Sequence, residues 1–392
     1  MIKIDEKEDC CGCEACVQVC PTKAISKTVD EEGFFYPLVD VLKCINCGLC
    51  VKVCPVINQG IERIPLHSFA VKNRDIRLRE NSSSGGVFIE LARNTILKGG
   101  VVFGARFDSD WSVCHDCVFC IEEVGQFMGS KYLQSRIENS YVKTKMYLEE
   151  GRVVLFTGTP CQIAGLNLFL GKDYPNLFTI DFICHGVPSP LVWKLYLRDF
   201  FDNMFSKVFR LKNQITDISF RKKDKGWKNF SLQMGYNSCF GAKRKYTSSF
   251  TMNEFMAGFL SDLYLRPACH LCPAKSLKSN SDLQIADFWG IKNILPLFDD
   301  DRGVSLVMIG SLKGHLLFKE VSSSFISQEV DSKIAIGSNQ SFCKSVSPHP
   351  LRKVFFDYIE KGMFPSRFIR RTLGLSLLSR ICKRICFSLS IK

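Results

Sequence analysis

The sequence has no long apolar run: the longest, such as residues 153–156 and 178–183, fall far short of the roughly 20 residues that cross a bilayer. A membrane-spanning helix is therefore not expected. An apolar leader is also missing, since the first nine residues read MIKIDEKED, so a cytoplasmic chain is expected, where disulfides are rare. Acidic residues are in deficit, 39 against 52 lysines and arginines, for a formal net charge of +13. Such a surplus is the usual mark of a phosphate-backbone binder. Counting cofactors removes the need for one: a [4Fe–4S] core with four thiolates carries about −2, and a dinucleotide phosphate about −2 more. No nucleic-acid partner is expected, and any remaining surplus would steer an acidic redox protein such as a small ferredoxin.

What the chain has in abundance is cysteine, 20 in 392 residues. In a long chain without a leader, cysteine points to metal rather than to a disulfide scaffold. The length allows two or three units at about 100–200 residues each.

Residues 10–21 read CCGCEACVQVCP and residues 44–55 read CINCGLCVKVCP, each containing C-x₂-C-x₂-C-x₃-C-P. Two-residue gaps in a tight loop let three sulfurs reach one cubane, while the fourth cysteine turns away and serves the cluster of the other half. Cluster 1 is thus assigned Cys10, Cys13, Cys16 and Cys54, and cluster 2 Cys20, Cys44, Cys47 and Cys50. Zinc also binds C-x₂-C pairs, but its sites rarely draw four cysteines from one such run. Cys11 is left over as a spare loop residue.

Beyond a connector at 57–66, strand-like runs alternate with helical stretches, which suggests α/β architecture. The segment NSSSGG (81–86) precedes an apolar-periodic stretch at 87–97. A helix start of this kind is read either as a plain N-cap or as a phosphate site. A strand at 152–156 opens into TGTPCQ, and another at 178–183 into CHGVP, so two strand ends each deliver a cysteine. A C-x₂-C pair, Cys269 and Cys272, follows. Cys161, Cys184, Cys269 and Cys272 could converge at one sheet edge as a third [4Fe–4S] site; the alternative is buried thiols acting as small hydrophobes. Cys114, Cys117 and Cys120 sit in an alternating segment and are read as strand packing.

SSSGG, GSKYLQS, GTPCQIAGL, ICHGVPSP, SFRKKDKGW, CHLCP and IADFWGI occur in this order. Over residues 1 to about 295 the chain resembles the coenzyme F420 hydrogenase/dehydrogenase beta-subunit family, in the branch of bacterial proteins with a fused ferredoxin domain often associated with surface-polysaccharide genes. The resemblance implies an α+β ferredoxin-like module (1–60) followed by an α/β flavin-binding domain in two parts (67–150 and 151–345). It implies FAD, with Ser82, Ser83, Ser84, Gly85, Gly86, Ser130, Lys131, Tyr132, Gln134, Ser135, Thr157, Gly158, Thr159 and Pro160 as its candidate surroundings. Lys131 could balance a pyrophosphate or be a solvated surface cation; Tyr132 could pack on a ring or lie in the core.

His185, beside a ligand candidate in a loop, is the candidate catalytic proton donor, with His115 second. Asp287 is read as fixing a loop or orienting a cofactor, and Trp289 as core. Residues 346–392 form a basic tail that is amphipathic over 367–392 and could lie on an anionic inner-membrane surface, dock on the body or bind a partner.

The expected function is an iron–sulfur flavoprotein oxidoreductase taking electrons from ferredoxin through the clusters to FAD and an organic substrate. Its setting, by resemblance, is the synthesis of a surface glycan or its precursor. The alternatives are an electron-transfer subunit without its own catalysis, or an enzyme that uses coenzyme F420.

Overall fold

The computed structural model describes residues 1–204, 215–238 and 241–375. In the N-terminal module, strands β1 (Ile25–Val29) and β2 (Phe35–Val39) form an antiparallel hairpin. Short helices Ala15–Val19 and Leu49–Lys52 follow the two cysteine loops. Each helix is entered through a left-handed residue at the same place in the repeat, Glu14 (φ 62°) and Gly48 (φ 78°). The sequence duplication is therefore a duplication of backbone conformation, and the strained Glu14 is held by Lys27, 3.0 Å from its Oε2, and by the Ile137 N–H, 3.2 Å from its Oε1.

The remainder is a mixed α/β body. Strands β3 (His67–Asn73), β4 (Val101–Phe107), β5 (Val113–Val118), β6 (Ser135–Arg136), β7 (Val154–Thr157) and β8 (Leu177–Phe182) come from its first part. A three-stranded antiparallel sheet follows, from β9 (Ile215–Lys222), β10 (Ser231–Asn237) and β11 (Lys243–Ser249). After it come β12 (Leu283–Asp287), β13 (Ser305–Ile309) and β14 (Phe325–Glu329). The large sheet has nine strands in the order β14-β3-β13-β12-β8-β7-β4-β5-β6. Its centre, β4-β7-β8-β12, is parallel, and β13, β3 and β5 run against their neighbours. The central strands are nearly continuous apolar runs because both faces are covered. Leu155 and Val307 pack on one side with Leu91 and Phe318, while Phe103 and Phe156 pack on the other with Tyr141 and Leu166.

The small sheet buries Phe220, Leu232 and Met234 against Trp193, Phe255 and Phe355, aromatic side chains that each contribute roughly 1.5–3 kcal/mol on burial. The ferredoxin module docks on the body through the Gln18 Oε1, which accepts from Tyr141 N (3.0 Å), and the Glu32 carbonyl, which accepts from Ser189 Oγ (2.5 Å). Helix Pro365–Thr372, the start of the amphipathic tail, lies on the body: Ile369 is buried, and Arg370 pairs with Glu254 at 2.5 Å. Residues 376–392, with Cys382 and Cys386, are outside the described residues. No helix among the described residues is long and apolar enough to cross a membrane.

Candidate functional site: three cysteine-lined cavities in a row

Cys10, Cys13, Cys16 and Cys54 line one cavity, together with Ile2, Phe35 and Tyr36. Cys20, Cys44, Cys47 and Cys50 line a second, with Ile25 and Val39. Each cavity thus takes three cysteines from one half of the repeat and the fourth from the other. The donors suit cubanes in a further respect: backbone N–H groups point at the sulfurs, from Ile2 to Cys50 Sγ (3.1 Å) and from Ala24 to Cys20 Sγ (3.3 Å). Such bonds favour the thiolate and tune the potential of a cluster. Burial pushes the Cys16 thiol up to about 12, so it ionises when a metal displaces its proton. Cys47 is exposed, and Val41, Leu42, Ile45 and Leu49 around it are exposed too.

The third set comes together on the body. β7 and β8 are parallel neighbours, so the segments after them leave the same edge of the sheet. Cys161 lies in the first turn of helix Pro160–Leu170, which Thr159 and Gln162 cap reciprocally. Cys184 follows β8, and Cys269 and Cys272 flank the 3-10 turn Pro267–Leu271. All four line one cavity, with His185, Gln134 and Lys275. Lys275 is buried and donates to the carbonyls of Cys184 (2.6 Å) and Ser341 (2.7 Å), placing a cation beside the sulfurs. The Val187 N–H reaches Cys269 Sγ at 3.4 Å, and burial holds that thiol at about 12.

Cys11 and Gly12 line both the first and the third cavity. Cys11 is buried, not a spare residue on an open loop. Its thiol is in hydrogen-bonding contact with those of Cys13 and Cys161.

The candidate flavin segments fall into two groups. In the first, Ser83 Oγ accepts from the Ser130 N–H (2.6 Å) and hydroxyl (2.8 Å), Ser84 Oγ donates to Val304 O (2.8 Å), and Gly85 N donates to Ser305 Oγ (2.9 Å). The N-cap of helix Val87–Leu97 is Gly86, in the left-handed region, with no side-chain cap bond. The serines therefore tie loops together and do not serve as the plain cap. Two ammonium groups stand here without a carboxylate ion-pair partner among the described residues. Lys131 Nζ donates to Met128 O (3.1 Å), and Lys223 Nζ donates to the carbonyls of Arg79 (2.6 Å), Ser84 (3.2 Å) and Arg302 (2.8 Å). Burial pushes Lys131 down to about 7 and, helped by Arg221 nearby, Lys223 down to about 8. A phosphate oxyanion is the group that would restore both charges.

The second group lies toward the cysteines. Gln134 lines the third cavity, Ser135 Oγ bonds His115 Nδ1 (2.7 Å), and Thr157 Oγ1 donates to Phe103 O (3.0 Å). Gly158 lies beside His115 and Gln162, and Pro160 is in the first turn of the capped helix. Tyr132 packs on Phe220 and Phe259 with its hydroxyl on Arg221 (3.2 Å), which is a core position.

His115 is buried, its Nε2 donating to Thr157 O (2.9 Å), and burial pushes it down to about 4. It is neutral near pH 7 and structural, not a proton donor. His185 Nε2 pairs with Asp262 at 2.7 Å beside the third cavity. Asp287 fixes its loop: Arg221 grips it at 2.7 and 3.1 Å, and Trp227 Nε1 donates to it at 2.8 Å. Trp289 stacks on Trp227 with centroids 4.9 Å apart. Sequence reasoning assigned no role to Arg221, Lys223, Arg266 or Lys275; the basic run RKKDKGW was the one signal for the first two.

Paired cysteine cavities in a small hairpin module, set against a mixed α/β body, define an iron–sulfur electron-transfer protein. Residues 9–58 match the 4Fe-4S dicluster domain, and residues 151–332 match the C terminus of the coenzyme F420 hydrogenase/dehydrogenase beta subunit. The chain belongs to the coenzyme F420 hydrogenase/dehydrogenase beta-subunit family and carries the dicluster module ahead of the matched region. No curated protein matches it. Among solved structures it is similar to a chain of the xenon-derivatized F420-reducing [NiFe] hydrogenase complex from Methanosarcina barkeri. The identity is 16%, the TM-score 0.43, and the match covers 71% of this chain and 93% of that one.

Proposed function

We propose that this protein is an FAD-dependent iron–sulfur oxidoreductase in which electrons from a ferredoxin enter at Cys47 and travel inward to reduce an organic substrate. The observation that carries this reading is the sequence of cavities: an exposed one, a second within the same small module, and a third sharing the wall residues Cys11 and Gly12. Held there, cubanes move single electrons, and FAD supplies the pairing of two into a hydride. Lys131 and Lys223 bind the cofactor's phosphates at the Ser83–Ser130 junction. His185, oriented by Asp262, holds the proton needed by the reduced substrate.

The test is anaerobic purification with iron, sulfide and flavin quantified, followed by turnover with reduced ferredoxin. About twelve irons and one flavin per chain are expected, against about eight if only the dicluster module is loaded. Loaded protein without flavin defeats the enzyme reading. Flavin-containing protein that turns over neither coenzyme F420 nor glycan precursors, and works only with a further subunit, makes it an electron-transfer subunit.

A further inference from the structure

Arg266 lies three residues before Cys269, and its backbone belongs to the third cavity. Its N–H donates to Val187 O (2.9 Å), and its carbonyl accepts from Cys269 N (2.9 Å). Its side chain does not stay there. It is fully buried and enters the ferredoxin module, where Nε donates to Cys10 O (2.7 Å) and Nη2 donates to Phe35 O (2.8 Å) and to Cys10 Sγ (3.4 Å). Nη1 donates to Gln134 Oε1 (3.1 Å), and the guanidinium lies over the rings of Tyr36 (4.5 Å) and Phe34 (5.4 Å). Gly12 makes room for it: a Cβ at that position would stand 2.9 Å from Nη1, in a backbone with φ +74°.

A buried guanidinium needs a counter-charge, because taking an unpaired ion out of water costs several kcal/mol. No carboxylate among the described residues pairs with Arg266. The other cation lining the first cavity, Lys27, is already neutralised by Glu14 at 3.0 Å and Glu138 at 3.5 Å. The negative group within reach of Arg266 is the thiolate of Cys10 and whatever that thiolate holds. We infer that Arg266 is the counter-cation of cluster 1 and the pin that fixes that cluster's loop to the third cysteine set, raising the cluster's reduction potential and making its assembly and the docking of the two modules one event. The inference rests on the assignment of Cys10 as a cluster ligand. A cation and an N–H···S bond favour the reduced, more negative cluster, so their loss lowers the potential. Lysine keeps the charge but cannot span Cys10, Phe35 and Gln134 with one ammonium.

The test is an EPR-monitored redox titration of the anaerobically purified full chain and of Arg266→Gln and Arg266→Lys, with iron counted in each. Cys47→Ser identifies the signal of cluster 2. In Arg266→Gln one midpoint, not the one that Cys47→Ser perturbs, is expected to fall by about 59 mV or more, a tenfold change in its reduced-to-oxidised ratio at fixed potential. Arg266→Lys should move the same midpoint less while making the junction between modules more open to protease. Full iron with every midpoint unmoved in Arg266→Gln overturns the inference, as does an equal shift of all clusters. Should Arg266→Gln fail to fold, Arg266→Lys decides: a shift confined to the same signal supports the role, and an unmoved potential refutes it. Wild-type protein without EPR-active clusters would instead overturn the ligand assignment itself.

Discussion

Two buried titratable side chains in the sheet respond to pH in opposite senses. His115 is pushed from 6.5 down to about 4, so it binds fewer protons folded than unfolded. The stability it contributes is present above pH 6.5 and is lost as pH falls toward 4, roughly 3 kcal/mol over that window. Asp181 is pushed by burial from 3.8 up to about 7, so it is protonated at mildly acidic pH. A proton on its Oδ1 can bond Gln284 Oε1, and those two oxygens otherwise have no partner. Its contribution is present below pH 4 and is lost as pH rises through 7. The difference in melting temperature between wild type and His115→Gln should therefore shrink from pH 7.5 to pH 5.5, and Asp181→Asn should gain on wild type from pH 5 to pH 8. Parallel pH profiles in either comparison would refute the corresponding assignment. At this scale the ligand cysteines were legible because three of each set are local and the spacing repeats. Arg266 was not, because its partners at Cys10, Phe35 and Gln134 lie 130 to 256 residues away.

Helix Pro160–Leu170 carries Cys161 in its first turn and lies against the ferredoxin module further along. The approach is close at Gly165, where a Cβ would stand 3.0 Å from Cys13 Sγ and 3.1 Å from Cys13 Cβ. Gly165→Val should press on the loop of the first cavity and leave the second untouched. The expected outcome is loss of about four irons per chain with the signal of the exposed cluster retained, read by iron analysis and EPR. Helix Val87–Leu97 and strand Val113–Val118 were readable from their periods of 3.6 and 2, which local sequence sets. The small sheet of β9, β10 and β11 was not anticipated. The sheet order was not readable either, since β3 pairs with β13 and β14 more than 230 residues later, and pairing at that separation is set by the packing of both faces.

Taken whole, the chain is a positively charged body, +13 by sequence. Three clusters of about −2 each would bring that near +7 and leave attraction for an acidic donor. The rate of reduction by an acidic ferredoxin should fall steeply as salt rises from 50 to 500 mM, while electron flow between the internal cavities should not. A rate indifferent to salt would mean that the donor is not recognised by charge.

The openness of Cys47 has a further consequence. The corner through which a partner can approach is also the corner that dissolved oxygen meets first, whereas the sulfurs around Cys11 are walled off by protein. Corrosion would therefore begin at the surface and work inward, so a chain handled in air would lose its point of entry while its interior wiring was still intact.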